Sequence, residues 1–190
     1  MSLLTSSRSR RTRCVSIWFL ASTILSLLGF AQVESKGTTH LVVVDKSDFR
    51  LYVYEANKLV CEFPIAVGMN PGDKQKRGDH RTPEGNFYIV QIQDSRNWSH
   101  DFKDGKGPTK GAYGPWFLRL YTGAKATKSG KAWSGVAVHG THDPNSIGTR
   151  ATEGCVRLRN DDLQKLKRMV KVGTPVTIRE YARDGLSNIA

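Results

Sequence analysis

The side chains with the most chemical reach fall between residues 139 and 160. They are His139-Gly140-Thr141-His142 and, further on, Thr152-Glu153-Gly154-Cys155-Val156-Arg157. His139 and Cys155 stand 16 positions apart, each beside a glycine, and Arg157 follows two residues past the sulfur. A cysteine attacks as its thiolate, which near neutral pH needs a base to take the proton or positive surroundings to lower the pKa. His139 suits the first task and Arg157 the second. Gly154 permits a backbone turn that would aim the amide N–H groups of Gly154 and Cys155 at an incoming carbonyl oxygen, as an oxyanion hole does. The plain alternative is a cysteine packed inside a strand.

His139 closes an apolar run, so its ring is placed at a strand end, where it can act as general base and then general acid. No Asp or Glu stands out as its orienting partner; the Gly140 carbonyl can accept from its second ring nitrogen instead. His142 reads as a solvated loop residue. A zinc site from His139, His142 and Cys155 is the chemical rival, but structural zinc takes four closely paired ligands and one cysteine is on offer, so no metal is expected.

The elements that must hold these residues are mostly short strands. His40-Leu-Val-Val-Val-Asp45, Arg50-Leu-Tyr-Val-Tyr-Glu55 and Lys58 to Val67 read as an antiparallel meander with turns at Lys46-Ser47-Asp48 and Ala56-Asn57. Further strands are expected at 86–93, 115–121, 135–139 and 175–180. Polar segments 68–81 and 94–114 read as long loops, which in a compact domain suggests walls around a substrate. One helix is expected after the cysteine: Asn160 as N-cap, Asp161 and Asp162 at the positive end of the dipole, an apolar stripe of Leu163, Leu166, Met169 and Val170, then Gly173. That stripe is core packing.

Residues 1–31 are of another kind. Arg8, Arg10, Arg11 and Arg13 precede an uncharged apolar run, 15–31, with Gly29 and Ala31 suiting a cut after Ala31. This pattern predicts a secretory signal, with an uncleaved membrane anchor as the alternative. The chain is then divided as signal 1–31, a short lead 32–39, a domain over 40–182 and a tail over 183–190, and the location is outside the cytoplasm, in the periplasm or cell envelope. Cleavage would remove Cys14, and Cys61, inside an apolar strand, is expected to pack as a free thiol. Setting aside the four arginines of the first 31 residues reduces the formal charge from +12 to +8. The remaining basic residues are scattered over three loops and match no nucleic-acid motif, so an anionic envelope explains them better than nucleic acid.

The run from His139 to Asp161 resembles the active-site signature of the L,D-transpeptidase catalytic domain, the YkuD-type domain of bacterial cell-wall enzymes. The likeness extends to Gly-Asp-His-Arg-Thr-Pro-Glu-Gly-Asn-Phe at 78–87, Tyr-Gly-Pro-Trp-Phe-Leu-Arg-Leu at 113–120 and Val-Gly-Thr-Pro-Val-Thr-Ile at 172–178, covering about residues 38–182. It implies a mainly β, β-rich α+β fold, a mixed β-sheet sandwich with one principal helix after the cysteine. It also implies a cysteine enzyme that opens a peptidoglycan tetrapeptide stem as a thioester, expels D-alanine and passes the acyl group to an amine, without cofactor and as a monomer. On that likeness Cys155 is the nucleophile, His139 the base, Gly140 the orienter, and Gly154 with Cys155 the oxyanion donors. Arg157, Thr152, Thr141 and Glu153 are expected to contact substrate, with Arg157 alternatively holding the cysteine loop. Acylation of Cys155 by a carbapenem is expected. The alternatives are hydrolysis of stems or cross-links on the same fold, and a silent wall-binding domain. The chain departs from the family at Glu153, where many members carry histidine in Ser-His-Gly-Cys. Glu153 either supports a protonated His139 or faces solvent, and solvent is favoured.

Overall fold

The computed structural model describes residues 40–180 and the backbone of the pair Arg13–Cys14. The apolar run 15–31 and the tail 183–190 lie outside the described residues; among the described residues no helix is long and apolar enough to cross a membrane.

The described residues form twelve strands, one short 3₁₀ turn at Pro144–Ser146 and one α-helix: β1 (Arg13–Cys14), β2 (His40–Asp45), β3 (Arg50–Glu55), β4 (Lys58–Gly68), β5 (Gly85–Asp94), β6 (Ser99–His100), β7 (Thr109–Lys110), β8 (Trp116–Leu120), β9 (Ala137–His139), β10 (Arg150–Thr152), β11 (Val156–Leu158), α1 (Asn160–Met169) and β12 (Pro175–Arg179). The expected meander is present, β2 pairing β3 and β3 pairing β4, both antiparallel. Ala56 and Asn57 both take positive φ, 46° and 62°, which gives their two-residue hairpin the twist that matches its strands.

Two long strands each serve two sheets. Residues 58–64 of β4 pair with β3, whereas Ile65 and Ala66 pair with β11. In β5 the first residues pair with β12 and those from Ile89 onward with β8, with an irregularity between Ile89 and Gln91 that bends the strand. The two layers are therefore joined through β4 and β5 into a mixed sandwich, with β12–β2, β11–β9 and β10–β4 as its parallel pairs. Alternation places Val42, Val44, Leu51, Val53, Phe63 and Ile65 inside, against Leu118, Val138, Val156 and Leu158.

The helix forms where expected, but its cap differs. Arg159 occupies the N-cap without a side-chain bond, and Asn160 is the first helical residue, its amide engaged by the loop after His139. Leu163, Leu166 and Val170 are buried, and each such side chain contributes roughly 1.5–3 kcal/mol relative to exposure. The segment 94–114 is not a plain loop: β6 and β7 pair as a short antiparallel ribbon, Ser99 opposite Lys110.

Cys61 also departs from expectation. It is buried in β4 as predicted, but it is disulfide-bonded, not a free thiol. The short strand β1 sets Cys14 opposite Cys61 in antiparallel register, a pairing with no local sequence signal. Cys155 is the free cysteine among the described residues.

Candidate active site

β9 and β11 run side by side in parallel, Val156 beside Val138 and Arg157 beside His139. One step back in that register Cys155 comes beside Ala137, two residues from His139 on the same face, because side chains alternate along a strand. Both line one cavity of about 370 Å³. Its floor is β9 and the cysteine loop. One wall comes from the 68–81 segment, through Lys74, Arg77 and His80, and the other from the β6–β7 ribbon and β8, through His100, Phe102, Tyr113 and Phe117.

His139 is 3% exposed and held on three sides. Its Nδ1 lies 2.6 Å from the Gly140 carbonyl oxygen. An oxygen only accepts, so Nδ1 carries the hydrogen and Nε2 keeps the free lone pair. Phe117, directly across β8 from His139, stacks on the ring at 5.8 Å, and Tyr113 meets it edge-on at 5.1 Å. Burial drives the His139 pKa down to about 3, partly offset by the Gly140 bond and reinforced by Arg157, so the ring is neutral at physiological pH. Burial pushes the Cys155 thiol up to about 11, although an Ala137 backbone hydrogen bond and the Arg157 charge favour the thiolate. The thiol itself donates to the Gly135 carbonyl oxygen at 3.4 Å. The pair at rest is therefore thiol and imidazole, both neutral.

The loop after His139 is pinned by packing that leaves no room for side chains. Gly140 donates its N–H to the Tyr113 carbonyl at 2.7 Å. A Cβ on Gly140 would stand 2.9 Å from the Gly114 Cα and run into Asn160 Oδ1.

Several expected site residues have other work. The Gly154 N–H donates to Thr152 Oγ1 at 3.1 Å, so it is not aimed into the cavity as an oxyanion donor. The same hydroxyl donates to the Cys155 carbonyl at 2.7 Å, which makes Thr152 a brace for the cysteine turn although it also borders the cavity. Thr141 lies outside the cavity lining; its hydroxyl accepts the Asp143 N–H and its backbone is clasped by Asn160. Gly154 takes φ +132°, and a Cβ there would meet the Arg81 carbonyl oxygen at 2.8 Å, which explains the glycine by conformation and close approach.

Arg157 borders the cavity and is buried. It donates to Ser146 Oγ at 3.0 Å and keeps Nε buried without a partner. Burial lowers its pKa. Glu153 does not simply face solvent: His100 Nε2 from the ribbon stands 3.3 Å from its Oε2. His142 is exposed and outside the cavity lining, with Nδ1 3.4 Å from the Ala112 carbonyl, so it does not converge with His139 and Cys155. Among the described residues no three His, Cys, Asp or Glu side chains gather closely enough to hold a metal ion.

Sequence reading alone passes over Tyr113, Phe117, His100, Lys74 and His80 as cavity residues. The signal for the first two was the aromatic spacing inside 113–120; the others lie in the segments 68–81 and 94–114 that read as substrate walls, but nothing local singles them out within those segments, because which side chains face the cavity is set by distant contacts. It also passes over Lys46, which is completely buried. Its Nζ donates to the carbonyls of Gly72 at 2.7 Å and Thr82 at 3.1 Å and stands 3.1 Å from Glu84 Oε1. That ammonium ties the 68–84 segment to the sandwich. Asp79 then shapes its tip, accepting from Lys74 Nζ and from the backbone N–H groups of Gln75, Lys76 and Arg81.

A family model described as the YkuD, L,D-transpeptidase catalytic domain matches residues 39–178. The chain is 30% identical over 151 residues to a Salmonella typhimurium protein named Probable L,D-transpeptidase ErfK/SrfK, and 32% identical over 138 residues to its namesake in Escherichia coli K12. Each alignment covers 72% of this chain and 43% of the relative, so the chain spans less than half the length of those two proteins. Among solved structures, Bdellovibrio bacteriovorus Bd1075 aligns with a TM-score of 0.55 at 28% identity, over 78% of this chain and 50% of that one. The register that brings Cys155 and His139 to one cavity thus sits in a domain matched along most of its length, and the chain belongs to the L,D-transpeptidase catalytic domain family.

Proposed function

We propose that this domain catalyses acyl transfer on peptidoglycan tetrapeptide stems through a thioester on Cys155. The observation that carries the reading is the β9–β11 register, which sets the thiol and the His139 ring on one face of one cavity while Gly140 fixes Nε2 as the basic nitrogen.

The thiol turns from the Gly135 carbonyl toward Nε2 and gives up its proton as sulfur bonds to the carbonyl carbon linking the third residue to the terminal D-alanine. Because both partners start neutral, proton transfer accompanies bond formation instead of preceding it. The Cys155 N–H faces the developing oxyanion, and Arg157 adds positive potential to the same site. The C–N bond then breaks, Nε2 returns its proton to the departing D-alanine nitrogen, and the thioester remains. An incoming amine attacks that carbonyl, its proton passes to Nε2 and on to sulfur, and the free thiol is restored. No step requires a metal or organic cofactor.

Under the same proposal residues 1–31 direct export, and their removal would take Cys14 away from Cys61 and leave Cys61 as a thiol: mass spectrometry of the mature protein is expected to find Gln32 at its N terminus, and a mature chain that still contains Arg13 overturns it. The chemistry is tested with a disaccharide tetrapeptide. The parent protein is expected to release D-alanine and Cys155→Ser to release none; release by the variant at the parent's rate sinks the mechanism. Incubation with a carbapenem is expected to add the drug's mass to Cys155, which a silent wall-binding domain would not show.

A further inference from the structure

Glu153 is the only carboxylate among the residues lining the cavity; the other charged groups there are Lys74, Arg77 and Arg157. Of these, Lys74 is already matched by Asp79 at 2.7 Å, and Arg157 is buried at the cysteine end. A cation entering the cavity therefore meets attraction at one point of the lining, and uncharged or positive groups elsewhere. That point lies two residues from the nucleophile. The carboxylate does not lean on Arg157; it is held from the opposite wall by His100 Nε2 at 3.3 Å, and the His100 ring is itself fixed between Phe102, at 4.6 Å, and Tyr113, at 5.6 Å. About half of the Glu153 side chain remains open to solvent, so one face of the carboxylate is free for a ligand.

We propose that Glu153, steadied by His100, is the docking group for the acyl acceptor, and that the acceptor is a primary amine that arrives as a cation. The inference rests on the thioester reading above, which already takes an amine as acceptor, and adds to it the residue that docks that amine. The negative charge gathers ammonium ions from bulk solvent at the mouth of the thioester site, which raises the local acceptor concentration over competing water. A neutral nucleophile gains nothing from that charge. Glu153 is accordingly a specificity residue, setting how the thioester divides between amine and water: the docked ammonium first gives up one proton to solvent to expose its lone pair, and the second proton, lost as the amide forms, passes through His139 to the Cys155 sulfur.

The test uses the full chain with a disaccharide tetrapeptide, which serves as both donor and acceptor. D-alanine release, cross-linked dimer and hydrolysed tripeptide are measured by mass spectrometry. The dimer-to-tripeptide ratio reads the acceptor step whatever the speed of acylation. Because a half-exposed charge pair is a modest interaction, Glu153→Gln is expected to lower the ratio about fivefold, and Glu153→Lys further. Glu153→Asp, which keeps the charge, is expected to fall between the parent and Glu153→Gln. The parent's ratio is expected to drop as salt rises from 0.05 to about 0.5 M, and that dependence to vanish in Glu153→Gln, a response that a merely structural side chain would not give. An unchanged ratio in Glu153→Gln, a parent ratio insensitive to salt, or a parent that yields tripeptide alone overturns the proposal. A parent that releases no D-alanine overturns the thioester reading itself, and is told apart by that product.

Discussion

The side-chain amide of Asn160 clasps the peptide unit of Thr141 from both ends, Oδ1 accepting its N–H at 2.8 Å and Nδ2 donating to its carbonyl at 3.0 Å. The first residue of the helix thereby fixes Thr141, 19 positions earlier, in the loop that leaves His139. Cysteine and histidine segments are coupled twice, through the β9–β11 pairing and through this amide.

Replacing Asn160 by alanine removes both bonds and leaves the Thr141 groups to find water. The expected cost is about 1–3 kcal/mol of stability, with kcat falling tenfold or more and KM changing less, because the base is misplaced while the cavity survives. Gly140→Ala is expected to do more damage, since its Cβ conflicts with Gly114 and Asn160 together. Thermal melts and steady-state D-alanine release check both.

Thr152 is predicted to act through its hydroxyl and not through contact with substrate. Thr152→Val keeps the shape but frees the Gly154 N–H and the Cys155 carbonyl, and a loss of about tenfold or more in carbapenem acylation rate is expected. Thr152→Ser, which restores both bonds, is expected to stay near the parent. Equal rates for valine and serine would contradict the brace.

Acid should weaken the fold through His139. Its folded pKa of about 3 lies below the ordinary 6.5, so as pH falls below about 6.5 the unfolded chain takes up the proton first. The contribution is fully present above pH 6.5 and declines toward pH 3. Melting temperatures between pH 8 and 4 are expected to fall less steeply in His139→Gln. At the other end, with the thiol pushed up to about 11 from 9.0, iodoacetamide labelling of Cys155 in the folded protein is expected to keep accelerating from pH 9 to 11.

Lys46→Met is predicted to be among the most damaging single changes outside the cavity. It leaves Glu84, itself 3% exposed, facing the Gly72 and Thr82 carbonyls without the ammonium that separates them. Breaking such a buried pair costs about 3–5 kcal/mol. Lys128, whose ammonium stands 2.9 Å from the other Glu84 oxygen, remains as a mostly exposed partner, so adding Glu84→Gln is expected to recover part of the loss by removing the charge that only Lys128 then balances, and denaturant unfolding of the two variants measures the coupling.

Sequence by itself determined what local chemistry governs. Alternating apolar residues set the meander of β2, β3 and β4; the 3.6-residue stripe of Leu163, Leu166 and Val170 set the helix; and the glycine-flanked His139 and Cys155 marked the reactive pair before any distance was known. Tertiary structure decided whatever depends on groups far apart in the chain. The parallel register of β9 and β11 brought the thiol and the imidazole to the lining of one cavity. Asn160 was drawn from capping its helix to clasping Thr141, since a partner 19 residues away satisfied its amide better than its own first turn. Lys46, in what reads as a polar turn, was buried because carbonyls and a carboxylate 26 to 38 positions onward converge on it. Glu153 found His100 across the cavity, 53 positions earlier. Local patterns repeat within a few residues and are legible in one dimension, whereas these contacts exist only after long loops have closed, when the core has fixed which strands are neighbours.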